Sequence, residues 1–327
     1  MEQEHKVLRW GLILIAVSIG IRLFSSGLFT SVLNLVTDPR VASFLVYLET
    51  GRVLRPELPT VVPAESSQPT APPTLSPAPE VSFTPEDGDW IDVFLSCDLP
   101  FDQEALLLSE LDWDLQRSEP TVLILHTHAT ESYTKTTEQY DETYYRTLNE
   151  NYNMVRIGDR VTQLLEEAGI CVIHDRTLHD NPSYEEAYDR SRATAAAYLA
   201  QYPSISLILD LHRDAADMAQ GQLRTLAHVD GRESAQLMLV VGTEASGLSH
   251  PNWQQNMALA EKLHVVLQKE NPGVCRPILL RRERFNQDLH PGFLLVEVGG
   301  AGNTLPEALL AADALAEAII TLAPGVS

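Results

Sequence analysis

The stretch TVLILHTHATESY, residues 121–133, ends an apolar run in two histidines and a glutamate rather than in a turn of Gly, Asn or Pro. Neutral imidazole nitrogens and a carboxylate oxygen are the ligands that a catalytic zinc uses, with a further position left for water. His126 and His128 flank one residue, so on an extended chain they share a face. Glu131 follows His128 by three residues and is reachable around a turn. Two further apolar runs end in comparable chemistry: SLILDL (206–211) leads into His212, Arg213 and Asp214, and FLLV (293–296) leads into Glu297. His212 would complete a ligand set from a second strand. Glu297, on a third, is placed to take a proton from water and deliver it to a leaving amine while a metal polarises the carbonyl. Each of these residues alone is equally at home as a hydrogen-bonded or ion-paired side chain. Their gathering at the ends of several apolar runs is what favours a site.

For that gathering to be real, the runs must be neighbouring strands of one sheet. VLIL (122–125), ICVI (170–173), SLILDL, LMLVVG (237–242) and FLLVEVG (293–299) are short apolar runs suited to strands buried on both faces. Helical spacing separates them. Met154, Ile157, Val161, Leu164 and Leu165 mark one helix, stopped by Gly169. Others are predicted over 183–201 and 252–269, and a last helix follows Thr304 as N-cap with Pro306 in its first turn. Strands alternating with helices predict an α/β fold, a mostly parallel sheet with helices on both faces. Ligands of such sheets gather beyond the carboxyl ends of the strands.

The chain has 327 residues, with 45 acidic against 23 basic and a formal net charge of −22. That balance argues against a nucleic-acid partner, which needs a basic footprint. Cys97, Cys171 and Cys275 form no metal-type spacing, and Cys171 is expected in the core. Arg281, Arg282 and Arg284 make the one basic cluster, read as a solvated loop or as a surface for an anionic polymer.

Residues 10–36, WGLILIAVSIGIRLFSSGLFTSVLNLV, are apolar except for Arg22 and long enough to cross a bilayer. The sequence predicts a membrane anchor over 1–36, with Lys6 and Arg9 on the cytoplasmic side, a cleaved signal peptide or an amphipathic helix being the competing readings, and a juxtamembrane segment over 37–55. Residues 56–88 form a linker rich in Pro, Ser and Thr that cannot bury enough surface to offset its ordering entropy. An extracytoplasmic α/β domain is expected over 89–327.

LILHTHATESY, YYRTLNENYNMVRIGDRV, HDRTLHDNPSYEEAYDRSRAT, YPSISLILDLHRDA and VEVGGAGNTLPEAL, in that order behind an anchor and a Pro-rich tether, resemble the stage II sporulation protein P family. The resemblance covers roughly residues 115–322. It implies an amidase-like fold and a zinc-dependent cell-wall hydrolase that cleaves the N-acetylmuramoyl-L-alanine amide, and also peptide cross-links. It further implies a role in septal thinning and engulfment beside stage II sporulation proteins D and M, at the cell membrane. Carried onto this chain, the amidase pattern favours His128 as first ligand with His126 lining the site, and His212 as second histidine. Glu131 is the preferred glutamate ligand, with Glu150 in reserve, and Glu297 is the catalytic residue. Arg213 and Asp214 would orient the ligands or grip a stem-peptide carboxylate.

Overall fold

The computed structural model describes residues 81–97, 99–111, 114–115, 117–134, 145–218 and 221–323. The expected anchor over 1–36, the segment 37–55 and most of the linker lie outside the described residues. Among the described residues no helix is long and apolar enough to cross a membrane.

In chain order the elements are β1 (Val93–Leu95), α1 (Gln103–Leu108), β2 (Val122–Leu125), α2 (Met154–Glu167), β3 (Val172–His174), α3 (Ala187–Gln201) and β4 (Leu207–Asp214). Then come four short strands, β5 (Asp217–Met218), β6 (Gly221–Gln222), β7 (Ala227–Val229) and β8 (Arg232–Ser234). The chain finishes with β9 (Leu237–Gly242), α4 (Trp253–Glu270), β10 (Ile278–Arg281), β11 (Phe293–Gly300) and α5 (Leu305–Leu322). Seven strands form one sheet in the order β1-β10-β9-β11-β4-β2-β3, and β5/β6 and β7/β8 are separate hairpin-like pairs. The large sheet is parallel except where β9 meets β11. The run LMLVVG is therefore a strand, as its composition predicts, but runs against its neighbour β11.

Alternation along the strands divides the core into two faces. On one face Val122, Ile124, Leu207, Leu209, Leu211, Leu294, Val296 and Val298 pack with α2, α4 and α5. On the other, Leu123, Leu125, Ile208 and Phe293 pack with Ala195 and Leu199 of α3. Further along this second face Met238, Val240 and Leu295 meet Leu279 and Phe285 rather than a helix. Helices thus cover both faces, three against one.

Local chemistry sets the helix starts. The side chain of Asn153 accepts from Val155 N–H at the start of α2. Thr304 and Glu307 form a reciprocal capping box at the start of α5, with Pro306 in its first turn; such a cap contributes about 1 kcal/mol. The left-handed backbone after α2 is supplied by Gly169 (φ 84°).

The last residues of the expected linker are folded. Residues 85–90 form a 3-10 turn that packs on α4, because Asp87 pairs with Lys269 and Phe83 lies against the Lys262 ammonium. Arg281, expected in a loop, ends β10. The three cysteines carry free thiols; Cys275 is buried and Cys171 half-buried.

Candidate metal centre

Three of the strands bring the predicted chemistry to one place. On β4, Asp210 and His212 point to the α3 side of the sheet, two residues apart. On β11, Glu297 is the register partner of His212. After β2 the chain turns over 127–130, which carries His128 around the sheet edge and sets Glu131 three residues later.

The outcome is a buried group of His128, Glu131 and His212, whose ligand atoms all lie within 4.8 Å of one another. His128 Nδ1 is 3.5 Å from Glu131 Oε1, and His212 Nδ1 is 3.7 Å from Glu131 Oε2. The far side of the His212 ring is held as well: Nε2 stands 2.9 Å from Asp210 Oδ1. Asp210 is itself fixed by the backbone N–H (2.7 Å) and the hydroxyl (2.6 Å) of Thr127. A carboxylate beside one imidazole nitrogen turns the other toward Glu131, the arrangement that orients a metal-binding histidine.

Glu131 has its own supports. Its Oε2 accepts the Arg213 backbone N–H at 3.1 Å, and its Oε1 accepts from Arg146 Nη2 at 3.2 Å. Arg146 also donates to Asp180 (2.6 Å) and to the Thr130 hydroxyl (3.2 Å), so that guanidinium ties the turn to its carboxylate. His128 stacks on the Tyr184 ring with centroids 4.4 Å apart. The Tyr188 ring lies nearly parallel to that of His212 at 6.4 Å.

The electrostatics follow from burying charge at close range. Burial pushes the Glu297 carboxyl up; nearby His212 opposes this and Glu131 reinforces it, leaving it at about 8. Burial works against the His212 imidazolium, but Asp210 outweighs it and raises that pKa to about 10. For Glu131, burial is overcome by His128, Arg213 and His212, and the carboxylate titrates at about 2. Burial drives the Tyr188 phenol well above its ordinary range.

The donor set fits a zinc ion. Two nitrogens and a carboxylate oxygen converge, and Glu297 Oε2 beside them is shielded from water and has no hydrogen-bond partner among the described residues.

The remaining candidates lie elsewhere. His126 does not join the group. It continues the alternation of Val122 and Ile124 and so points to the opposite face of the sheet, under α2. There its Nδ1 donates to Leu211 C=O at 3.1 Å, and its Nε2 is 2.9 Å from His174 Nε2. Burial holds the His126 imidazole neutral, with its pKa down at about 3. Glu150 is half-exposed and paired with Arg176 at 2.8 Å. Arg213 is buried and its guanidinium braces the backbone, donating to Ser132 C=O (2.9 Å) and Tyr145 C=O (2.7 Å). Asp214 pairs with Arg276 at 2.7 Å. Asp210, Arg146, Tyr184 and Tyr188 were not foreseen from the sequence. Asp210 had a signal, since it precedes His212 by two residues on a strand and must share its face.

A sequence model of the Stage II sporulation protein P (SpoIIP) family matches residues 66–320. The chain belongs to the Stage II sporulation protein P family. Its relatives include the Stage II sporulation protein P of Bacillus subtilis (strain 168), 30% identical over 208 residues that cover 60% of this chain. The match takes in 49% of that relative, so the chain spans about half the length of the curated protein it resembles. Three solved N-acetylmuramoyl-L-alanine amidases align with this SpoIIP-family chain at low overlap. AmiC2 of Nostoc punctiforme is 13% identical, with a TM-score of 0.34, covering 61% of this chain and 94% of its own. Ami1 of Mycobacterium smegmatis is 13% identical at 0.39, covering 63% and 96%. The Clostridium difficile 630 amidase is 15% identical at 0.35, covering 62% and 94%.

Proposed function

We propose that this SpoIIP-family chain is a zinc-dependent peptidoglycan hydrolase. Its bond is the amide between N-acetylmuramic acid and L-alanine, with peptide cross-links as a secondary target. The observation that carries the reading is the buried His128–Glu131–His212 group with the unpartnered carboxyl of Glu297 beside it. The setting proposed with it is septal thinning and engulfment during sporulation, beside stage II sporulation proteins D and M, with residues 1–36 as the anchor that would hold the domain outside the cytoplasm.

In this reading His128, Glu131 and His212 hold the ion. Zinc in such a set polarises a carbonyl and acidifies water. Asp210 keeps the His212 ring in the tautomer that presents Nδ1, and the Arg213 N–H and Arg146 keep Glu131 in place. Glu297 moves the proton: it is the register partner of His212, and its Oε2 has no hydrogen-bond partner among the described residues, so the carboxylate is available to a water at the site. It takes the proton of the attacking water and delivers it to the departing nitrogen.

The test is release of stem peptides from purified sacculi. Chelation or His212→Ala is expected to abolish release, and zinc to restore the chelated protein. New amino groups on L-alanine identify amidase cleavage, whereas uncoupled stems still attached to glycan identify cross-link cleavage. Undiminished release after metal removal would overturn the proposal. Full sporulation function in a Glu297→Gln strain would instead favour a wall-binding domain without catalysis.

A further inference from the structure

The α3 side of the sheet does not end at the metal group. Next to His212 stands Tyr188. Tyr188 contacts the Phe285 ring at a centroid distance of 5.9 Å, and the Arg281 guanidinium lies 5.9 Å over the other reach of Phe285. Aromatic rings thus lead from the candidate site to the one basic cluster of an otherwise acidic chain. Beyond Phe285 no helix among the described residues packs on this face. Leu279 on β10 and its register partner Phe94 on β1 continue it to the sheet edge, and Phe94 is 62% exposed.

The loop that presents Phe285 is held in a costly conformation. Phe285 (φ 50°) and Asn286 (φ 61°) both occupy the left-handed region, which non-glycine residues avoid. Side chains lock it there: Asn286 donates to Tyr188 C=O (2.9 Å) and to the Ser191 hydroxyl (3.1 Å), and Gln287 donates to Val240 C=O (2.8 Å) while accepting from Gly242 N–H (2.7 Å). Backbone strain maintained by dedicated hydrogen bonds is a mark of ligand-clamping segments.

The three arginines are not equivalent. Arg284 is tied to Asp288 at 3.3 Å. Arg281 has one carboxylate neighbour, Glu283, at 3.1 Å, and its side chain is 40% exposed. Arg282 is exposed and has no ion-pair partner among the described residues; it makes one long bond, to Ala245 C=O at 3.4 Å. With a net charge of −22, the protein as a whole repels an anionic polymer. The exposed Arg282, next to the Arg281–Glu283 pair, offsets that repulsion locally with a guanidinium whose planar fork matches a carboxylate.

We propose that the shelf formed by Tyr188, Phe285, Leu279 and Phe94 seats the stem peptide of the substrate, and that Arg281 and Arg282 bind its free carboxylates. The inference rests on the peptidoglycan reading above and adds to it the part of the substrate that is recognised. Arg281 and Arg282 bind the substrate and take no part in bond cleavage; the Tyr188 and Phe285 rings stand between Arg281 and His212.

The experiment measures binding, so it is independent of hydrolysis. The full-length, zinc-supplemented Glu297→Gln protein is titrated with N-acetylmuramoyl-L-Ala-γ-D-Glu-meso-diaminopimelate and with the same ligand amidated at its carboxylates. Adding Arg281→Ala and Arg282→Ala is expected to weaken binding of the acidic ligand by about tenfold or more and to leave binding of the amidated one unchanged. Arg281→Lys with Arg282→Lys is expected to restore much of the loss, since the charge returns without the fork. Equal affinity of parent and double-Ala protein for the acidic ligand would overturn the proposal. So would an equal loss for both ligands, or no saturable binding by the parent. Failure of the Glu297-containing protein to hydrolyse sacculi bears on the hydrolase reading alone and leaves these binding outcomes to be judged separately.

Discussion

Replacing Asp210 by Asn tests how the metal group is held without touching a ligand. Asp210 is fully buried; it accepts from Thr127 N–H at 2.7 Å and from the Thr127 hydroxyl at 2.6 Å, and its Oδ1 lies 2.9 Å from His212 Nε2. Asparagine has nearly the same shape, but one of its two acceptor positions becomes an amide donor. Whichever way the amide is turned, at least one buried donor loses its acceptor, at a cost of about 1–3 kcal/mol. The Thr127 N–H and His212 Nε2 share Oδ1 while the hydroxyl takes Oδ2, so an amide that keeps the hydroxyl bond sets its NH2 against both the Thr127 N–H and His212 and frees the ring to take the other tautomer. Outer-shell carboxylates of this kind contribute about 10–100-fold in metal affinity, which corresponds to roughly 1.4–2.8 kcal/mol. The expected outcome is therefore a zinc dissociation constant raised by one to two orders of magnitude, measured by competition with a chromophoric chelator. The thermal stabilisation that zinc confers shrinks in step, because ligand stabilisation follows the ratio of free zinc to that constant. An Asp210→Asn protein that folds and binds zinc as tightly as the parent would refute the idea that this carboxylate orients His212.

Three other perturbations reach different parts of the design. Gly158→Ala places a methyl group where it overlaps His126 Nε2 and His174 Nε2; a loss of about 1–3 kcal/mol is expected in urea denaturation, as for overpacked cores. Arg146→Ala removes the cation that bridges Glu131 and Asp180 and is expected to weaken zinc binding by about tenfold or more, with Arg146→Lys in between. In the metal-free protein Glu297 titrates at about 8 rather than 4.5, so folding takes up a proton between those values. The stability this group permits is full below pH 4.5 and declines as pH rises through 8, by on the order of a few kcal/mol. Glu297→Gln is expected to flatten that decline in urea titrations at pH 5 and pH 8.

Much of this architecture can be read from residue order, because the large sheet is built from short all-apolar runs that strands buried on both faces require. VLIL and LMLVVG coincide with β2 and β9, and Thr304 caps α5 as its place before Pro306 predicts. What failed to show was the point at which β2 gives way to a turn. His126 and His128 share a face only on an extended chain; the chain turns at 127, so one ring goes under α2 and the other to the ligand group. The reversal of β9 against β11 was equally hidden, since a buried strand carries no mark of its direction. β10 was masked by its arginines, which draw the eye to a loop although ILL precedes them. Arg146 and Tyr188 reach the site by tertiary routes that no local spacing announces.

One stitch between distant segments has a consequence for how the protein is made. The turn bearing Glu131 continues into Tyr133, whose hydroxyl donates to Val298 C=O at 2.9 Å, and Thr134, which donates to Asn303 C=O at 2.8 Å and Ala301 C=O at 3.1 Å. The opening and closing portions of the domain are thereby buttoned together beside the chemistry. A chain still emerging from the ribosome owns His128, Glu131 and His212 long before it owns the edge that fixes them. A truncation before residue 298 would leave the turn that bears Glu131 without these far anchors.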